Sequence, residues 1–172
     1  MRKIRAAILT LSDKASRNER IDETGPLLRA ELEHLDYEIT EYLISSDDYD
    51  SIVNILKRWS DSDIADLILT NGGTGFSPRD ITPEATLDVI ERRTPGISEA
   101  MRLASLSITP KAMLSRAESG IRKNTLIINL PGSPKGALEN WQAISAAIPH
   151  GIAILRKEAE ECAEAFVPKK DR

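Results

Sequence analysis

Three glycines in four residues, Gly72, Gly73 and Gly75 around Thr74, follow the short apolar run Leu67-Ile68-Leu69 and precede Ser77-Pro78-Arg79-Asp80. Glycine has no Cβ and tolerates positive φ, so several amide N–H groups of such a turn can converge on one point. Converging amides bind anions, and a helix start beyond them adds a favourable dipole. An arginine and an aspartate within the next five residues would suit a metal-bound phosphate. The pattern lacks the Gly-Lys-Ser/Thr ending of a P-loop and the G-x-G-x-x-G of a dinucleotide site, so phosphate binding is implied without a particular nucleotide. A plain strand-to-helix turn with solvated charges is the competing explanation.

Two further aspartates, Asp47 and Asp48, follow a second apolar segment. If both loops open at one sheet edge, carboxylates from each face a single phosphate cradle. Such groups repel phosphate unless a hard cation lies between, and Mg²⁺ prefers all-oxygen ligands. That arrangement serves phosphoryl or nucleotidyl transfer. The alternative is that Asp47 and Asp48 cap the helix carrying Ile52, and Asp80 the one after Thr82. Arg79 could fork onto a phosphate or carboxylate, or pair with Glu84. Ser115-Arg116, in a polar break before Gly120, is equally open. Neither His34 nor His150 has partners spaced for a triad or a zinc site.

These residues need a frame. Ile4 to Leu11, Tyr37 to Ile44, Ile64 to Thr70 and Leu126 to Leu130 read as strands. Between them, Asp22 to Leu35 reads as a helix with Thr24 as N-cap, Pro26 in the first turn and Leu28, Leu32 and Leu35 on one face. Ile52, Ile55, Leu56 and Trp59 mark another helix. Thr82-Pro83 opens one carrying Leu87 and Ile90, with the proline at its first position. Pro95-Gly96 reads as a turn before a helix lined by Ile97, Met101 and Ala104. Pro131-Gly132-Ser133-Pro134 ends the last strand and starts a helix with Ser133 as N-cap. The tail from Gly151 reads as charged helix. Strands alternating with helices imply a three-layer α/β/α sandwich around a mostly parallel sheet. Ligands then bind beyond the strands' carboxyl ends.

Composition removes several classes. The 172 residues are expected to form a single domain, 1–172, with a formal net charge of −4 and no basic tract, so nucleic acid is not an expected partner. No apolar run approaches the ~18 residues of a membrane span. One cysteine, Cys162, excludes an internal disulfide and fits a reducing compartment; a cytoplasmic protein is expected.

Four segments, in order, resemble one family: Leu11-Ser12-Asp13; Asn71 to Gly75 with Asp80-Ile81-Thr82-Pro83-Glu84-Ala85-Thr86; Pro110 with Ala112-Met113-Leu114-Ser115-Arg116; and Ile127-Ile128-Asn129-Leu130-Pro131-Gly132-Ser133-Pro134. Over Ile8 to about Leu155 the chain is similar to the molybdenum-cofactor adenylyltransferases of the MogA type, a group that includes the G domain of gephyrin. The resemblance implies transfer of AMP from ATP to the terminal phosphate of molybdopterin with release of pyrophosphate, and a homo-trimer that hands its product to a molybdate-insertion enzyme. It implies that Asp47 and Asp80 are catalytic and hold Mg²⁺, and that Gly72, Gly73, Thr74 and Gly75 bind phosphate. Pro131, Gly132, Ser133 and Pro134 would wall the nucleotide, and Ser115 would bind the pterin, with Ser12, Asp13, Arg79 and Arg116 as further substrate contacts. Ser46 stands where proline is frequent in the family, which leaves Asp48 competing with Asp47 for the metal. A MoaB-type protein, or a module that binds molybdopterin without catalysis, is the alternative.

Overall fold

A computed structural model describes residues 2–158. In chain order the elements are β1 (Arg5–Leu11), α1 (Asp13–Ser16), α2 (Thr24–His34), β2 (Glu38–Ser45), α3 (Tyr49–Asp61), β3 (Leu67–Asn71) and α4 (Thr82–Val89). Then come β4 (Arg92–Arg93), α5 (Pro95–Leu106), a 3-10 segment (Pro110–Leu114), β5 (Ser119–Arg122), β6 (Thr125–Leu130), α6 (Pro134–Ile144) and α7 (Ile148–Leu155). Cys162 and the terminal Lys169-Lys170-Asp171-Arg172 lie outside the described residues.

The strands form one sheet in the order β2-β1-β3-β6-β5-β4. β2, β1, β3 and β6 run parallel, and β5 and β4 are antiparallel additions at one edge. Alternate residues of each strand point to opposite faces. Ala6, Ile8, Leu67, Leu69, Leu126 and Ile128 pack under α2, α5, α6 and α7 with Leu28, Leu32, Met101 and Trp141. Ala7, Leu9, Ile68 and Ile127 pack on the other face against α3 and α4 with Ile52, Leu56, Trp59 and Val89. The architecture is therefore the expected α/β/α sandwich. β1 leads outward to β2 on one side while β3 lies on its other side, which makes the gap between the ends of β1 and β3 a topological switch point, where open α/β sheets bind ligands.

Several details depart from the sequence expectations. The Asp22 carboxylate, not Thr24, accepts the N–H groups of Thr24 and Gly25 at 2.9 and 3.0 Å, and the Thr24 hydroxyl donates to the Gly132 carbonyl at 2.8 Å. Leu35 and Leu87 fall off the buried faces, at 42% and 40% exposure. Pro83 occupies the second position of α4, and Pro95-Gly96 is the first turn of α5 rather than a turn before it. The antiparallel pair β4 and β5 had no periodicity to announce it, being two and four residues long.

At the sheet's opposite end from the glycine turn, Asp66 is almost fully buried, with a side chain 2% exposed, and is surrounded by Arg2, Arg5 and Arg156. Arg5 N–H and Arg2 Nη2 donate to it at 2.8 and 3.0 Å, and Arg156 Nε at 3.1 Å. Burial opposes the Asp66 charge, but the Arg5 and Arg156 hydrogen bonds outweigh it and hold the carboxyl below its ordinary value. A depressed carboxyl stabilises the fold above the unfolded value of ~3.9 and loses that contribution as pH falls through the lower folded value. Asp66→Asn is expected to cost about 3–5 kcal/mol, because it strands buried cations. Urea denaturation from pH 3 to 7 should show that loss, together with a shallower acid limb than the wild-type protein has.

Candidate active site

β3 ends at Asn71, and the chain turns at once through Gly72 (φ 104°) and Gly73 (φ 64°). A Cβ on Gly72 would lie 2.3 Å from the Leu11 carbonyl oxygen, and one on Gly73 would lie 2.4 Å from Thr82 Oγ1. Only glycine fits either position. The loop's carbonyl groups are all engaged. Gly72 O accepts from Thr82 Oγ1 at 2.9 Å and Gly73 O from the Thr82 N–H at 3.1 Å. Thr74 O accepts from the Arg116 N–H at 2.9 Å, and Gly75 O from Arg116 Nε at 2.7 Å. The N–H groups of Gly73, Thr74 and Gly75, by contrast, find no acceptor among the described residues. Backbone donors near a protein interior are nearly always paired. Three successive unpaired donors are the kind of arrangement that can receive an anion.

The carboxylates stand beside it. Asp47 Oδ2 accepts the Asp13 N–H at 3.0 Å, and Asp13 Oδ1 in turn accepts the Asp47 N–H at 3.0 Å. Asp47 Oδ1 has no donor among the described residues and lies 3.3 Å from where a Gly73 Cβ would sit. Burial raises the Asp47 carboxyl above its ordinary value; the Asp13 N–H bond opposes this, while the charges of Asp13 and Asp80 add to it. Asp80 Oδ2 accepts the Ser77 N–H at 2.9 Å and lies 2.9 Å from a Cβ built on Gly75. Asp48 does something else: its Oδ1 accepts the Ser51 N–H and hydroxyl at 2.9 and 2.6 Å, which caps α3.

Two cavities meet at this loop. The larger, of about 680 Å³, is lined by Ser12, Asp22, Gly72, Gly73, Gly132 and Ser133 among others. The smaller, of about 310 Å³, is lined by Thr74, Gly75, Ser115, Pro131 and Ser133 with residues of α5, α6 and the 3-10 segment. Successive residues of one glycine turn thus open into different cavities.

A family model described as "Probable molybdopterin binding domain" matches residues 7–150. The chain belongs to this family. A molybdopterin adenylyltransferase of Helicobacter pylori is 39% identical over 99% of this chain and all of its own length. Gephyrin of Dictyostelium discoideum is 43% identical over 88% of this chain, but the match spans only 22% of gephyrin's own length. Among solved structures, the molybdopterin biosynthesis enzyme MoaB of Thermus thermophilus superposes with a TM-score of 0.85 at 46% identity, covering 90% of this chain and 97% of that one.

Within this family's fold, the residues singled out from sequence fall into two groups. Asp47, Asp80, the glycine loop, Ser12, Ser115 and Pro131 to Pro134 all border the two cavities or the loop between them. Asp13, Arg79 and Arg116 are instead engaged with other protein groups. Arg79 forks onto the Asp13 carboxylate at 2.7–3.1 Å, rather than pairing with Glu84, and holds the Asp13 carboxyl low. Arg116 takes Glu84 and, besides Gly75, the Asp80 carbonyl. Ser12 and Ser133 cap α1 and α6. The clamp role of Arg116 could not be read from sequence, because it holds the loop through the main-chain carbonyls of Thr74, Gly75 and Asp80, which leave no trace in residue type.

Whether the site suits Mg²⁺ is decided by the donor set. Among the described residues no group of three or more His, Cys, Asp or Glu side chains could enclose a metal alone. Mg²⁺ commonly uses one or two carboxylates and completes its octahedron with phosphate oxygens and water. Asp47 and Asp80, each with one oxygen lacking a donor and with mutual repulsion at Asp47, fit that role. Gly72→Ala is expected to cost about 2–3 kcal/mol through the positive φ and the Leu11 contact, seen as a fall in Tm of roughly 5–10 °C.

Proposed function

We propose that this protein is a molybdopterin adenylyltransferase, joining AMP from ATP to the terminal phosphate of molybdopterin. The observation that carries the proposal is the glycine turn with its carbonyls tied back and three amides unpaired, set where two cavities meet beside two carboxylates. ATP would occupy the larger cavity and the pterin the smaller. A phosphate oxygen of molybdopterin attacks the α-phosphorus of ATP in line; the new P–O bond forms as the bond to the β-phosphate oxygen breaks. Pyrophosphate leaves with that electron pair. The loop amides hold phosphate oxygens in both states and stabilise charge as it moves. The nucleophile is already ionised near neutral pH, so no strong general base is required. When bound, Mg²⁺ held by Asp47 and Asp80 would neutralise charge on the pyrophosphate.

The chain would work as one domain, 1–172, in the cytoplasm. Among the described residues no helix is long and apolar enough to cross a membrane. Leu103, Ile108 and Met113 are 57–73% exposed on α5 and around the 3-10 segment, which gives self-association, as the expected trimer, an apolar surface to use. Hand-off to a molybdate-insertion enzyme would follow from the chemistry of the product. The likeness to MoaB supports a second reading, a MoaB-type protein that does not adenylylate. Incubation with ATP, Mg²⁺ and molybdopterin separates them: pyrophosphate release is expected, and its absence in the wild-type protein would favour the MoaB type.

Asp80→Asn and Asp47→Asn should each lower transfer at least about 100-fold, with substrate binding nearly intact for Asp80→Asn. Asp48→Ala should keep transfer within about threefold while losing about 1 kcal/mol of stability with its cap. The comparison of these three variants assigns the acidic roles.

A further inference from the structure

The smaller cavity has a wall of unpaired acceptors. Asn140 is only 7% exposed. Its Nδ2 donates to the Gly136 carbonyl at 2.8 Å and to Ser105 Oγ at 3.0 Å. Since a carbonyl can only accept, the first bond fixes the amide's orientation and leaves Asn140 Oδ1 as an acceptor with no donor among the described residues. Beside it, the Glu139 carboxylate is two-thirds buried and receives no hydrogen bond from the described residues. Its one ion pair among the described residues is with Lys135, 3.7 Å away, one turn earlier and 80% exposed, a contact worth little. Both residues line the cavity together with Ile108, Leu114 and Pro131, which supply flat apolar contact, while the cations Arg102 and Lys111 also border it, neither of them in an ion pair with Glu139 among the described residues.

An apolar slot with a carboxylate and an amide oxygen on one wall calls for a planar ring with adjacent N–H donors on one edge. The pyrimidinone edge of a pterin is such a ring: its 2-amino group and N3–H lie side by side and match a carboxylate's two oxygens. Adenine does not fit the same wall, because its ring N1 beside the 6-amino group is an acceptor and would face the carboxylate unfavourably. We infer that Glu139 is the specificity determinant of the smaller cavity, reading the 2-amino and N3–H edge of the pterin with Asn140 Oδ1 alongside. This rests on the adenylyltransferase reading and adds to it a residue and a chemical rule for which substrate end enters which cavity.

The test uses the intact protein and two fluorescent probes, pterin-6-carboxylate and lumazine-6-carboxylate, in which the 2-amino group becomes a carbonyl. The wild-type protein is expected to bind the pterin about 10–100-fold more tightly than the lumazine. Glu139→Gln should bring the ratio within about threefold and raise the KM for molybdopterin about 10–100-fold, with the KM for ATP unmoved. The proposal is overturned if the wild-type protein fails to prefer the pterin, binds neither probe, or keeps its preference in Glu139→Gln. The probe swap on the wild-type chain needs no variant to fold. Pyrophosphate release from ATP and molybdopterin judges the parent reading separately: transfer without pterin preference sinks only the Glu139 assignment, and pterin preference without transfer sinks only the enzyme.

Discussion

The site depends on how one turn divides its peptide groups. Every carbonyl from Gly72 to Gly75 is held from behind, two by Thr82 and two by Arg116, so the turn cannot rotate its peptide planes without losing several bonds. The amides of Gly73, Thr74 and Gly75 are left over as a consequence. A donor fixed in advance costs no reorganisation when charge arrives, which is why preorganised amides outperform water at a developing negative charge. The same constraint explains the glycines. Gly132 runs past Gly72 with so little room that a Cβ on it would lie 3.2 Å from the Gly72 Cα. Two crossovers therefore meet main chain to main chain.

The acidic residues are sorted by what else could satisfy them. Asp48 has found two donors in Ser51 and is spent as a cap. Asp13 is taken by the Arg79 fork and by the Asp47 N–H. Asp47 and Asp80 each keep an oxygen with no donor among the described residues. Adjacent carboxylates left in that state repel one another, and a hard cation shared with incoming phosphates would relieve the repulsion. Asp13 thereby holds both the backbone and the side chain of Asp47, and Arg79 in turn holds Asp13.

Much of this was legible beforehand. Buried strands such as Leu126 to Leu130 announce themselves as unbroken apolar runs, and the parallel order follows from their alternation with amphipathic helices. The glycine turn was visible because backbone crowding leaves a residue-type signature. What was hidden had none. Arg116 binds main-chain oxygens, and β4 and β5 are too short to show a period. What sets Asp48 apart from Asp47 is a serine three residues further on, since Ser51 offers Asp48 both an N–H and a hydroxyl. Thr24 looked like a cap by type, but its hydroxyl was needed across the cavity at Gly132, and Asp22 reached the helix amides instead.

The Asp66 knot has an architectural consequence. It gathers Arg2 from one end of the described chain and Arg156 from the other, at the foot of the sheet, while ligands would gather at its head. The two ends of the described chain therefore share the side facing away from the glycine turn. A domain built this way can be grafted into longer polypeptides without a neighbour blocking its mouth.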